Sequence, residues 1–130
     1  MLKCVLIYYL KRNLTLKTID LARSLVNALE DKKAEDIVLL DLQGHCSFAD
    51  YFIICTGTSE RQLDALVQAV ADTVRKQHRL KSPRVQGQPG GGWVLADFTD
   101  LIVHVFNPEQ RRRYKLEELW SEAKVVVRIK

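Results

Sequence analysis

Four glycines stand before acidic and imidazole side chains, and together these residues suggest a nucleotide site. Gly87 and Gly90–Gly92 precede a segment that carries Asp97, Asp100 and His104. Phosphate-cradling loops lie between a strand and the start of a helix, where free N–H groups meet the anion. Here the glycines follow a helical segment and precede a strand-like one, and their spacing fits neither G-x-G-x-x-G nor the P-loop. The pattern therefore favours a flexible connection.

The other candidates for chemistry form no catalytic or metal-binding pattern. His45, His78 and His104 are far apart in the chain, and no serine or cysteine has a nucleophile signature. Two-metal chemistry commonly uses D-x-D or D-x-E on a strand, and no such pair occurs. We therefore predict no catalytic residue, no metal ligand and no cofactor from these residues, which leave an enzyme open as an alternative.

The three cysteines indicate packing rather than reactivity. Cys4, Cys46 and Cys55 match no zinc spacing. Cys46 and Cys55 lie in or near predicted strands, where a free thiol packs as a small apolar group. Free thiols favour a reducing compartment.

Hydrophobic periodicity predicts two main helices, which must position any site on the sheet. The first helix covers about 19–33, and the second lies within 58–80. Ser59 and Gln62 form a capping box at the start of the second, in which each side chain can bond the other residue's N–H. A third, short helix starts at Pro108.

Strands fill the gaps between these helices. The apolar run Ile37–Leu40 is typical of a central strand that is buried on both faces. Further strands are predicted in 50–57, 93–98 and 101–106, and a late one in "KVVVRIK". The order predicts an α/β (α+β) domain with a single mixed β-sheet of four or more strands, flanked by helices.

The hairpin formed by 93–98 and 101–106 carries the most informative surface. A two-residue loop, Thr99-Asp100, would place one wholly apolar face in the core. The other face would pair Trp93 with Phe106, Leu95 with His104 and Asp97 with Ile102. If no helix covers it, an apolar and polar patch on a rigid sheet, with a tryptophan in it, is typical of a protein-binding surface. The alternative is that Trp93 is a core residue and His104 a hydrogen-bonded buried histidine. A three-residue loop would reverse this pairing.

Length and charge set the outer limits. One hundred and thirty residues form one domain, and the net charge of +4 is compatible with RNA nearby without requiring it. Residues 1–17 contain an apolar run of seven residues, too short for a membrane helix. We expect an N-terminal extension at 1–17 (an arm or an extra strand), a domain at 18–121 and a tail at 122–130, with no membrane association.

Three segments together resemble one known family. The segments "SFADYFIICTGTSERQ", "GWVLADFTDLIVHVF" and "RRRYKLEELW" resemble the ribosomal silencing factor (RsfS, Iojap-like) family over about residues 18–121. The ordered set is specific, although no single segment is. Gln62 stands where the family often has histidine, and Phe98-Thr99 replaces a more usual glycine before Asp100.

The resemblance implies a fold akin to the nucleotidyltransferase fold without its catalytic carboxylates. It implies binding to the large ribosomal subunit at universal large-subunit protein number fourteen. It also implies a protein that is not an enzyme: joining of the small subunit is blocked sterically with no reaction catalysed, and translation falls when nutrients are short. The residues expected to contact the partner are Trp93, Leu95, Asp97, Asp100, His104, Phe106, Arg111, Tyr114 and Leu116.

Other readings stay open on the residues alone. The basic segments Arg75–Lys81 and Arg111–Arg113 can bind RNA phosphates directly, as in a ribosome-assembly module or through peripheral rRNA contacts. A nucleotidyltransferase-like enzyme is the weaker alternative. The mixed hairpin face can also pair with a second copy to form a homodimer. We expect a bacterial cytoplasmic protein rather than one of an organelle matrix.

Overall fold

The computed structural model describes residues 18–78 and 82–130, which form a mixed six-stranded sheet with helices. The strand order is β3-β4-β5-β2-β1-β6. The strands are β1 (Glu35–Asp41), β2 (Tyr51–Thr56), β3 (Arg84–Gln88), β4 (Trp93–Asp97), β5 (Leu101–Phe106) and β6 (Lys124–Ile129). The helices are α1 (18–31), α2 (Glu60–Gln77), α3 (Pro108–Tyr114) and α4 (Leu116–Leu119). The predicted α+β fold class is confirmed, whereas the extension at 1–17 lies outside the described residues.

The centre of the sheet is the parallel pair β2 and β5, and every other neighbouring pair is antiparallel. All residues of β2 and β5 are buried. Ile37–Leu40 of β1 are buried between β2 and β6, which confirms the predicted central strand. The late strand expected in "KVVVRIK" is β6, which extends the sheet along β1.

Helices α1 and α2 cover one face of the sheet. Leu25 and Leu29 of α1 and Leu66 of α2 join Ile53 and Val103 in one buried cluster. Burial of such side chains contributes about 1.5–3 kcal/mol each relative to exposure. Both predicted helices are confirmed, with bounds shifted by one to three residues.

The start of α2 is capped, although not with the predicted reciprocal bonds. Ser59 Oγ accepts from the Gln62 N–H at 3.1 Å, as expected. The Gln62 Oε1, however, accepts from the Thr58 N–H at 2.7 Å rather than from Ser59. Its Nε2 donates to the Lys33 carbonyl at 2.9 Å, so this side chain ties the end of α1 to the start of α2.

The glycine-rich segment is ordered, and the prediction of a flexible connection is wrong. Arg84–Gln88 form the edge strand β3, and Pro89–Gly91 form one 3₁₀ turn before β4. Gly87 has φ +84°, and a Cβ there would collide with the Trp93 carbonyl oxygen. The exposed, polar β3 lacks apolar alternation, so its signal as a strand was hidden. Pairing with β4 supplies the backbone bonds that order it.

The β4–β5 hairpin has the predicted register. Trp93 lies opposite Phe106, and Leu95 lies opposite His104. The Phe98 N–H donates to the Leu101 carbonyl at 2.9 Å, which closes the turn at Thr99-Asp100. The apolar side of the hairpin faces α1 and α2, so the mixed side lies on the opposite face of the sheet.

Candidate protein-binding surface

The mixed side of the β4–β5 hairpin carries a layered set of aromatic rings. Phe106 is 1% exposed and lies at the bottom, and Trp93 stacks on it with a centroid distance of 4.9 Å. Tyr114 of α3 lies 4.7 Å from the Trp93 ring and is 47% exposed. Exposure therefore increases along the stack, from buried Phe106 through half-buried Trp93 to exposed Tyr114. We call the accessible part, formed by Trp93, Leu95 and Tyr114, the hairpin surface.

His104 lies beneath this surface and holds the indole of Trp93. Its Nδ1 accepts a hydrogen bond from the Trp93 Nε1–H at 3.2 Å, and its side chain is 4% exposed. The Phe52 ring packs edge-to-face at 4.6 Å. Burial lowers the pKa of His104 from 6.5 to about 4, because an imidazolium would lose its hydration there. The ring is therefore neutral near pH 7, and its proton lies on Nε2.

The aromatic packing continues beyond the hairpin onto β2. The ring centroids of Phe52 and Trp120 are 6.2 Å apart. The ring centroid of Phe48 lies 6.1 Å from that of Phe52 and 6.3 Å from that of Trp120. Phe48 and Leu119 are 60% and 70% exposed. Sequence reasoning did not place these residues in the site. The parallel pairing of β2 with β5 brings Phe52 beside His104, and that pairing joins segments about fifty residues apart.

The acidic residues lie at the far end of the hairpin. Asp97 is four residues from Trp93 along β4, which corresponds to about 13 Å at the usual rise of a strand. Its Oδ1 accepts from the Thr99 N–H at 2.7 Å and stabilises the turn. Asp100 is exposed, and its carbonyl accepts from the N–H groups of Asp50 and Tyr51. The carboxylates are thus separate from the aromatic layer.

Arg111 fastens α3 and α4 to the end of the sheet. Its Nε donates to Glu117 Oε1, and its Nη1 donates to Thr56 Oγ1 at 2.8 Å. The Arg111 side chain is 13% exposed and that of Glu117 is 24% exposed, so their ion pair is largely shielded from solvent. This connection spans the break at Lys115, where φ is +47°. It fixes the short helix that carries Tyr114.

The nine residues predicted to contact a partner thus differ in accessibility. The two buried residues are His104 and Phe106, and the two exposed residues are Asp100 and Tyr114. The other five are half-buried: Trp93, Leu95, Asp97, Arg111 and Leu116. The structure brings Trp93, Leu95, His104, Phe106 and Tyr114 together. It places Asp97 and Asp100 at the turn, and Leu116 against the cluster that includes Phe52.

The rest of the described chain offers little titratable chemistry. No group of three or more His, Cys, Asp or Glu side chains in 18–78 and 82–130 is arranged to hold a metal ion. Cys55 is a buried free thiol, as predicted, whereas Cys46 is half-buried. Burial raises the pKa of Cys55 to about 12, and nearby Arg111 opposes this only weakly. None of the helices described here has the length and apolarity to cross a bilayer.

Fold and surface together define a class: a small α+β domain with an aromatic hairpin surface suited to protein contacts. Comparison with known proteins is more specific. The model of the family described as "Ribosomal silencing factor during starvation" (RsfS) matches residues 15–130. The chain belongs to this family, as its motifs predict.

Individual relatives agree with this assignment. The ribosomal silencing factor RsfS of Halalkalibacterium halodurans is 39% identical over 107 residues, 82% of this chain and 91% of that protein. The mouse "Mitochondrial assembly of ribosomal large subunit protein 1" is 31% identical over 99 residues. The matched region is 75% of this chain and 43% of the mouse protein. A crystal structure of a Chromobacterium violaceum protein gives a TM-score of 0.73 at 34% identity, covering 83% and 91% of the two chains.

Proposed function

We propose that this protein binds the large ribosomal subunit at universal large-subunit protein number fourteen and sterically blocks joining of the small subunit. Translation then falls when nutrients are short. Membership of the RsfS family and the names of its relatives support the ribosomal role. The mouse relative's name also refers to the large subunit.

The observation that carries the proposal is the hairpin surface. Trp93 and Tyr114 are accessible rings supported from below by Phe106 and His104. Rigid, partly exposed aromatic rings are the usual anchors of protein interfaces, because they bury much area at little cost in entropy. A steric blocker needs such an anchor and no reacting group, so we propose a regulator that catalyses no reaction.

Charge at the turn supports a basic partner. Asp97 and Asp100 lie beyond the aromatic rings, and Glu109 is exposed in the first turn of α3. Carboxylates at the end of the hairpin, away from the aromatic anchor, complement a positively charged protein surface and speed its association. Ribosomal proteins are commonly basic. We place the protein in the bacterial cytoplasm, in line with its bacterial relatives.

Sedimentation with purified large subunits tests this proposal. Trp93→Ala should weaken binding by at least about 30-fold, the loss expected for a central aromatic anchor. Val85→Ala is the matched control, because Val85 is 48% exposed on β3 and lies beside Ala96 on the helix-covered side. Equal binding of both variants, or no binding by the wild type, contradicts the proposal.

A direct RNA-binding role is the second candidate. Arg112 and Arg113 are exposed in the last turn of α3, and Arg75 and Lys76 are exposed at the end of α2. Binding through these cations would release counterions from the RNA. The logarithm of the binding constant would then fall linearly with the logarithm of salt concentration, with a slope of roughly −1 per phosphate contact. A titration against large-subunit RNA at increasing salt tests this role, and a flat dependence removes it.

A second copy of the chain is a competing occupant of the hairpin surface. Homodimerisation there would bury Trp93, so Trp93→Ala would shift the protein from dimer to monomer in analytical ultracentrifugation. A monomeric wild type at micromolar concentration excludes this alternative.

A further inference from the structure

His104 occupies a position where packing alone does not favour a histidine. Its Nε2 is buried without a hydrogen-bond partner, and a stranded donor in the core is costly. An apolar side chain would fill the same space beside Phe52 and Phe106 without that penalty. The structural value of the imidazole therefore lies in its other nitrogen, Nδ1.

Nδ1 is directed at the accessible aromatic anchor. It accepts the Trp93 indole N–H at 3.2 Å, across the diagonal between β4 and β5. Diagonal neighbours on paired strands lie close enough for large rings to meet. Phe106 fixes the plane of the indole by stacking at 4.9 Å, and the hydrogen bond fixes its rotation within that plane.

We infer that His104 is a positioning residue for docking: it holds Trp93 in the orientation in which the partner meets it, without touching the partner itself. The inference rests on the proposed function. Because the indole N–H is already donated inward, Trp93 has no polar group to offer the partner. Phe106 and Tyr114 pack against the ring of Trp93, so the partner meets its edge. The partner group there is therefore apolar, such as the aliphatic stem of a lysine or arginine, and not a hydrogen-bond acceptor.

Preorganisation gives this arrangement its effect on affinity. A tryptophan that must lose rotamer freedom on binding contributes less than one already held in place. Burial keeps His104 neutral and Nδ1 available as an acceptor under ordinary conditions. The same bond also explains why a half-buried tryptophan keeps its polar edge away from solvent.

Two nearly isosteric variants separate the hydrogen bond from packing. Asparagine carries an acceptor close to the position of Nδ1, whereas leucine has the same branched shape and no acceptor. His104→Leu should weaken large-subunit binding roughly 3- to 10-fold, the value of one lost hydrogen bond. His104→Asn should stay within roughly twofold of the wild type, since it keeps the acceptor.

A spectroscopic measurement reports on Trp93 directly. The Trp93 indole N–H resonance, identified by its loss in Trp93→Phe, should exchange faster with solvent in His104→Leu than in His104→Asn. A double-mutant cycle adds a test that tolerates partial destabilisation: in the Trp93→Phe background, His104→Leu should have no further effect on binding.

The outcomes are distinguishable. If the wild type binds and the two His104 variants bind alike, whether both strongly or both weakly, the acceptor is irrelevant and this inference alone is overturned. An additive double mutant overturns it as well. If the wild type does not bind large subunits at all, the proposed function fails and the docking role fails with it.

Discussion

Stability between about pH 7.5 and pH 5.5 should depend measurably on His104. The folded protein holds the pKa of this buried imidazole at about 4, whereas an exposed imidazole in the unfolded chain titrates near 6.5. As the pH falls below about 6.5, His104 becomes protonated in the unfolded chain but stays neutral in the folded protein. The stability is therefore complete above about pH 6.5 and is lost progressively as the pH approaches 4.

The magnitude follows from these two values. Between about pH 7.5 and pH 5.5, linkage predicts a loss of about 1.4 kcal/mol in the free energy of unfolding from this one group. The window lies above the usual range of carboxylate titration, so aspartates and glutamates contribute little to it. For a domain of this size, the loss corresponds to a fall of roughly 4–8 °C in Tm.

Urea unfolding of the wild type and of His104→Leu at both pH values measures the effect. The variant lacks the titrating group, so it should lose about 1.4 kcal/mol less than the wild type across the window. His45→Asn is the matched control for loss of a histidine, because His45 is exposed in the turn before β2. Equal pH dependence in the wild type and His104→Leu would refute the reasoning.

Two further predictions concern the stability of elements outside the hairpin surface. Gly87→Ala should destabilise the fold by about 1–3 kcal/mol, because φ at Gly87 is +84° and the added methyl group meets the Trp93 carbonyl. Gly91→Ala is the control: Gly91 has open space around it, so this variant should be nearly neutral in thermal unfolding. Ser59→Ala removes the acceptor for the Gln62 N–H, so it should lower the free energy of urea unfolding by about 1 kcal/mol. Large-subunit binding should not change. Lost binding would show that the cap has a role beyond stability.

Local patterns predicted the elements that carry strong periodicity. The apolar spacing of α1 and α2 and the run in β1 each depend on burial of one helix face or of both sheet faces, which the sequence records directly. The hairpin register was predicted on the condition of a two-residue turn, since a three-residue loop would have reversed the pairing. The structure confirms that turn, and with it the pairing of Trp93 with Phe106 and of Leu95 with His104.

Elements without a pattern of their own were missed. β3 is exposed along its whole length and shows no apolar alternation, so its identity depends on β4 as a partner. The break between α3 and α4 at Lys115 is likewise held by Arg111 and its contacts with Thr56 and Glu117. Such contacts join distant parts of the chain, and no local window contains both partners.

The sequence by itself determined the type of most elements and, through ordered motifs, the family, and it limited the hairpin to two registers. Only the tertiary structure decided which hairpin residues reach solvent. It paired β2 with β5 in parallel, placed Phe52 against His104, and laid Tyr114 over Trp93. The physical reason is that burial of a side chain depends on what packs above it. On this face, those covering residues come from segments that only folding brings together.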